Sequence, residues 1–282
     1  MMKCWVMACC VALAGMCSAA PAVKEEILCQ GEYPWHLQGV ATDGTNIFWT
    51  FTTVLVKTDR SGQVLAKDEI PRSGGHMGDL CCKGGKVYVG MNLGFLRGSR
   101  VGDEVWEYDA ASLKLLKKYP TPEAVFCNNG LEWYDGSFWV ITSAPQYSQY
   151  NMVFKYTPDF KFQGCRFIKS GWTNLGVQTI CLWGDKMLFG CYGSDKDPID
   201  PHSSSTLAVE AKLLPLGKGH PEFAPLVPCL KRVKASTAEG MLVLDGKLWE
   251  AHGIRHSPPE DKLHQRWSAR LRPATALESA LQ

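Results

Sequence analysis

Gln38, Asn129, Gln178 and Glu239 fall at the same position of four similar segments, and Gly78 takes that position in a fifth. Two residues earlier the same segments carry His36, His76, Cys127, Gly176 and Thr237. Imidazole serves as acid, base or neutral ligand near neutral pH. Glu239 is the only carboxylate at the aligned position, so a histidine with Glu239 reads as an acid/base pair. His76 and Glu239 are the first candidates for catalysis, with His36 and His252 next. Asp79 follows Gly78, whose missing side chain leaves it room, and supplies a second carboxylate. Gln38, Asp79, Asn129, Gln178, Trp35 and Arg255 are the candidate ligand contacts. Trp172, Tyr33, Tyr147 and Tyr150 add rings able to stack on a sugar, and Arg97, Arg100, His202 and His256 add charge or imidazole from neighbouring loops.

Several reaction classes lack their motif. No Gly-x-Ser-x-Gly elbow and no glycine-rich phosphate loop of the Walker type occurs in the chain, so serine-esterase and nucleotide-hydrolase chemistry are poorly served. Glycosidic hydrolysis needs two carboxyl groups flanking the bond, which Asp79 with Glu239 supply only if their separation suits one of the two mechanisms. The same ring of amides and carboxylate also suits mutual hydrogen bonding, since buried polar groups need partners.

The elements that must position these residues follow from the repeat itself. Segments at 38–49, 78–88, 129–139, 178–188 and 239–249 each run polar residue, apolar stretch, glycine-containing turn, second apolar stretch. Their turns align on Gly44, Gly84, Asp135, Gly184 and Asp245, separated by 40, 51, 49 and 61 residues. Blades of β-propellers recur at about 40–50 residues, and the aromatic and β-branched content of the apolar stretches favours strands. A third strand is expected at 54–59, 105–109 and 152–159, and more weakly at 206–214 and 264–271. The expected fold is all-β: a five-bladed β-propeller of four-stranded antiparallel blades. A strand at 25–30 completes the last blade and closes the ring. A degenerate sixth blade between residues 189 and 237 is the alternative; a β-sandwich would not explain the spacing. Trp49, Trp106, Trp139, Trp183 and Trp249 are assigned to the core between blades. The connections at 91–103, 143–151, 192–205 and 252–262 are long, whereas the Asp-Gly and Gly-Gly turns on the opposite face are tight. Long loops on a rigid scaffold are where binding groups are expected, which places the site at the channel mouth on the long-loop face.

At the level of fold, the blade periodicity and the Asp-Gly turns resemble the secreted β-propellers that include NHL-repeat, gluconolactonase-like and quinoprotein-like domains. Gluconolactonase-like propellers hold a divalent cation in the channel, which the resemblance would put on Glu239 and Asn129. Gln38 and Gln178 are neutral amides and weak ligands for a hard cation, so no metal ligand set is assigned and no cofactor is expected.

The first residues place the chain in a compartment. Lys3, an apolar stretch at 4–16 and Ser18-Ala-Ala-Pro-Ala22 have the layout of a secretory signal peptide cut after Ala22. Residues 23–282 are then one propeller domain, secreted or periplasmic. No later stretch reaches the roughly 18–20 apolar residues of a membrane span. Four of the 12 cysteines lie in the leader segment, and export allows the other eight to form disulfides without dictating any pairing. The net charge is +2 with lysine and arginine scattered along the chain, so a nucleic-acid partner is not expected. The expected function is binding of a small polar or carbohydrate-like molecule at the upper channel mouth, with hydrolase or lyase chemistry there. The competing reading is a non-catalytic module recognising a protein or glycan of the cell envelope.

Overall fold

A computed structural model describes residues 26–94, 102–145, 148–193, 204–215 and 226–282. The expected leader segment, Arg97, Arg100, Tyr147 and His202 lie outside the described residues. The first strand is β1 (Ile27–Pro34), and the strands after it group into blades. Blade one holds β2 (Leu37–Thr42), β3 (Ile47–Phe51), β4 (Val54–Thr58) and β5 (Val64–Glu69). Blade two holds β6 (His76–Lys83), β7 (Lys86–Asn92), β8 (Glu104–Asp109) and β9 (Leu115–Pro120). Blade three holds β10 (Asn128–Tyr134), β11 (Ser137–Thr142), β12 (Asn151–Tyr156) and β13 (Phe162–Lys169). Blade four begins with β14 (Asn174–Trp183), β15 (Lys186–Tyr192) and β16 (Ser205–Glu210). The chain then lays β17 (Leu226–Pro228) in parallel beside β13, and returns to finish blade four with β18 (Lys231–Lys234). Blade five holds β19 (Met241–Leu244), β20 (Lys247–Arg255) and β21 (Arg266–Pro273), and a short helix α1 (Thr275–Leu281) follows.

The ring has five blades. Its fifth is completed by β1, which pairs antiparallel with β21, Ile27 opposite Leu271. The extra sixth blade is absent because the stretch after β16 is divided between the outer edges of blades three and four. The tight turns follow from residue type. Gly84 and Gly85 have φ of 58° and 73°, Asp135 and Gly136 48° and 68°, Asp245 and Gly246 52° and 74°. Two consecutive positive φ values match the right-handed twist of a hairpin, and glycine, asparagine and aspartate reach them at least cost.

The core lies between neighbouring blades. Trp49, Trp139 and Trp249 sit at matching places in the second strands of blades one, three and five and are fully buried. Trp106 is buried too, and Trp183 packs half-buried against the blade-four and blade-five core. The eight cysteines among the described residues are free thiols. Burial pushes Cys29 and Cys191 up to about 12, which keeps them from ionising and reacting.

Candidate functional site

The inner strands β2, β6, β10, β14 and β19 are the end strands of their sheets, and their free edges surround the channel. In four of them the aligned polar position coincides with an irregularity of pairing: at Gln38, at Gly78 and Asp79, at Asn129, and at Gln178. A β-bulge bends its strand and re-aims a side chain. The approaches to these strands are strained as well. Trp35, Cys127 and Leu175 hold φ of 67°, 76° and 62°, a left-handed conformation that non-glycine residues seldom keep outside constrained sites.

The side chains that gather belong to blades one, two, four and five. His36 and Gln38 share a hydrogen bond between Nε2 atoms 2.5 Å apart. The His36 ring lies 6.4 Å from His76 and 6.0 Å from Trp267, centroid to centroid. Across Gly253 from Trp267 stands Glu239, whose Oε2 accepts the Gly253 amide at 2.6 Å. A Cβ at Gly253 would sit 3.1 Å from Trp267 Cε3 and 3.2 Å from Glu239 Oε2. The bare glycine therefore lets carboxylate and indole approach one another. His252 pairs with Glu250 at 3.1 Å, and its charge favours ionisation of Glu239.

Burial dominates the electrostatics of this mouth. It raises Glu239 above the usual carboxylate range, against the opposing pull of the Gly253 amide and His252. Burial also raises the Tyr192 phenol, and the charge of Glu239 adds to that rise. His36 is pushed down by burial. His76 falls to about 4, first by burial and then by the charges of His36 and Arg72. Both imidazoles are accordingly neutral at pH 7. The mouth offers two neutral imidazoles and an amide beside the Glu239 carboxyl, whose pKa burial raises, with the Arg72 guanidinium acting on His76.

The titration of His76 has a measurable consequence. Unfolded histidine takes its proton near 6.5 and folded His76 only near 4, so between these values the unfolded chain binds more protons. The His76 contribution to stability should fall as pH drops from 6.5 to 4, and His76→Gln should remove that contribution, a change of about 2 kcal/mol after reduction for partial exposure. Urea unfolding of both proteins across that range measures it; equal slopes would refute the assignment.

The remaining candidates are engaged elsewhere, except that the Arg255 guanidinium also lies 5.8 Å from the Trp267 ring centroid. Asp79 does not stand at the mouth: it is fully buried on the channel axis, where Oδ2 accepts the Ile180 amide at 2.9 Å. Burial lifts its carboxyl well above the normal range, and the amides of Leu80 and Val40 face it. It is thus not available beside Glu239 as the second carboxyl of a glycosidase. Asn129 donates to the Val177 carbonyl at 2.7 Å and to Ser143 Oγ at 3.0 Å. Gln178 donates to the Leu175 carbonyl at 2.9 Å. Both amides fasten the loops of blades three and four. Arg255 is engaged by its own loop, with Nη2 2.8 Å from the carbonyls of both Pro258 and Asp261. Trp35 lies under the Arg72 guanidinium, 3.4 Å from the ring centroid. Tyr33 is buried against Phe51 and Trp172 is buried, while Tyr150 is exposed.

Sequence reasoning passed over Trp267, Tyr192, Gly253 and Glu132. Tyr192 ends β15 and Trp267 begins β21, positions that the alignment of first strands never compares. Glu132 alternates along β10 as any polar strand residue would, yet it lines a cavity inside the channel.

No protein-family model matches the chain, and no curated protein matches it. Solved structures do. The glutaminyl cyclase of Myxococcus xanthus superposes with a TM-score of 0.51 at 13% identity, over 88% of this chain and 98% of the other. A Bacteroides ovatus xyloglucan PUL GH43B structure gives 0.51 at 12% identity, covering 86% of this chain and 53% of that one. This chain spans about half the length of the latter. At such identities the likeness is one of fold, and it agrees with a propeller.

Proposed function

We propose that the chain is an exported propeller whose upper channel mouth binds a small, uncharged, polar ligand of carbohydrate-like character, with Glu239 as its principal hydrogen-bonding and proton-exchanging group. One observation carries the reading. Glu239, Gln38, His36 and His76 converge from three blades on one end of the channel, beside Trp267, with the imidazoles neutral. Neutral imidazoles and an amide beside the Glu239 carboxyl suit hydroxyl and amide groups, which hydrogen-bond without bringing further charge into a half-buried site.

Hydrolase or lyase chemistry at this mouth would rest on Glu239 as general acid or base, its pKa raised by burial in the direction that role requires. The two solved relatives in fold are named as a cyclase and a GH43 protein, which supports catalysis as an extension of the binding role on this scaffold. A recognition module without turnover is the second reading, favoured by Asp79 being sealed away from Glu239.

Thermal-shift titration with a panel of glycans and lactones, on the wild type and on Glu239→Gln, tests the proposal. The variant should lose roughly tenfold in affinity for any ligand found, equivalent to about 1.4 kcal/mol. Where turnover is detected, it should vanish in the variant and its pH profile should follow a carboxyl titrating above the usual range. Unchanged affinity and turnover in Glu239→Gln would remove the site from this mouth.

A further inference from the structure

The upper ends of the second strands carry a set of matched residues that faces the channel mouth. Thr50 pairs with Gly39, Ile141 with Gly130 and Gly190 with Thr179, and the Ala251 amide donates to the Gly240 carbonyl; Gly90 fills the same place in blade two. Two residues further along stand Thr52, Asn92, Ser143, Tyr192 and Gly253, on the same face of their strands because side chains alternate. That face is turned to the next blade. A Cβ at Gly90 would lie 2.6 Å from Asn128 Oδ1 in blade three, and one at Gly190 would lie 2.3 Å from the Thr237 carbonyl oxygen at the entry to blade five. Asn92 accordingly reaches Cys127, just ahead of β10. By the same geometry Tyr192 faces the segment that runs from Thr237 to Glu239, and the Glu239 charge acts on its phenol. Tyr192 and Glu239 are both half-buried. Among the described residues no hydrogen bond joins them, and Glu239 Oε1 accepts none while Oε2 holds the Gly253 amide.

We propose, building on the reading of the mouth given above, that Tyr192 is a second ligand contact and that with Glu239 it selects a vicinal diol. One hydroxyl donates to the Glu239 carboxylate, its neighbour accepts from the Tyr192 phenol, and the ring that carries both lies against Trp267. The two protein groups are complementary in kind. An ionised carboxylate only accepts, whereas a protonated phenol donates, and burial together with the Glu239 charge keeps Tyr192 protonated. Adjacent hydroxyls on one ring satisfy both groups at once. A single hydroxyl satisfies one and leaves the other desolvated without a partner, the situation in which a site rejects an analogue that lacks one hydroxyl. The place of Trp267 fits the same ligand, since it stands across Gly253 from Glu239 and is only half-buried, with its indole Nε1 already donating to Gln265 Oε1 at 3.1 Å.

cis-Cyclohexane-1,2-diol and cyclohexanol share a ring and differ by one hydroxyl, which makes them the probes. Titrated at pH 8 into the full chain, with the Trp267 indole ¹H–¹⁵N resonance as reporter, the diol should bind about tenfold more tightly than cyclohexanol. Tyr192→Phe keeps the aromatic ring and removes the donor, so it should bring the two probes to within about twofold of each other while cyclohexanol binds as before. A residue that only packs would leave the ratio unchanged. A ¹⁹F resonance from 3-fluorotyrosine at position 192 should move with the diol and not with cyclohexanol, a reading that does not depend on the folding of Tyr192→Phe. Equal binding of the two probes to the wild type, no binding of the diol, a preference retained in Tyr192→Phe, or a stationary ¹⁹F resonance would overturn the role of Tyr192. Glu239→Gln separates this failure from that of the mouth as a whole: weaker binding of both probes in that variant leaves the mouth reading standing, and unchanged binding removes both.

Discussion

Gly39→Ala is expected to cost about 4 kcal/mol and to lower Tm by about 10 °C. A Cβ at residue 39 would stand 2.3 Å from Asp79 Oδ1 and 2.5 Å from Asp79 Cα. The second of these is backbone, so rotating the aspartate cannot relieve the overlap. Gly130 bounds the same side chain from blade three, its added Cβ falling 2.4 Å from Asp79 Cβ. Two glycines from flanking blades thus make the slot through which Asp79 reaches Ile180 across the axis. Gly74→Ala is the control, because its nearest neighbours would lie at an ordinary 3.6 Å and the change should stay within about 0.5 kcal/mol. Calorimetry of the two variants decides the matter. A Gly39→Ala protein melting within 2 °C of wild type would mean that the axis is not packed around Asp79.

The second large effect concerns Glu132 and the alkaline limb of stability. Its carboxyl titrates near 4.5 in the unfolded chain and at about 7 in the folded one, so between those values the folded state binds more protons. Stability therefore falls as pH rises from 4.5 through 7, the cost of ionising an enclosed carboxyl. Gln cannot ionise. Relative to wild type, Glu132→Gln should gain about 2–3 kcal/mol between pH 4.5 and pH 8, allowing for solvent in the cavity. His76 works in the opposite direction over part of this range, losing stability as pH falls from 6.5 to 4. Across pH 4.5–6.5 the two contributions oppose each other, so each variant should expose the other's slope: His76→Gln a stability that falls as pH rises, Glu132→Gln one that falls as pH drops. A wild-type-minus-variant difference for Glu132→Gln that stays constant from pH 4.5 to 8 would show that the carboxyl ionises freely.

Much of the fold was legible because its signals are local and repeated. Asp135-Gly136 and Asp245-Gly246 announce hairpins through the φ values they tolerate, and apolar stretches on either side specify strands. Repetition at blade spacing then argues for a ring. Even the closure by β1 follows from an unpaired outer place in the last blade. The alignment also brought His36, Gln38, His76 and Glu239 to one end of the channel, since equivalent positions in equivalent blades share a height and a direction.

The alignment was less informative about partners. Asn129, Gln178 and Arg255 carry the side chains expected of ligand contacts, but each donates to carbonyls or hydroxyls of nearby loops. Asp79 follows Gly78 and locally has room at the mouth. Its actual place depends on Gly39 and Gly130, one blade away on either side.

By itself the amino-acid sequence determined a ring of repeated blades and the place of the tight turns, and left five against six blades to the tertiary structure, which divides the stretch after β16 between blades three and four. The ring and its turns rest on backbone preferences and strand periodicity that act over a few residues. Only the tertiary structure decided that Asp79 is buried on the axis, that Trp267 and Tyr192 join Glu239, and that Glu132 opens on a cavity. Those outcomes depend on which blades meet around the axis and on how much water is excluded between them, and desolvation is what moves the carboxyls and imidazoles away from their ordinary titration.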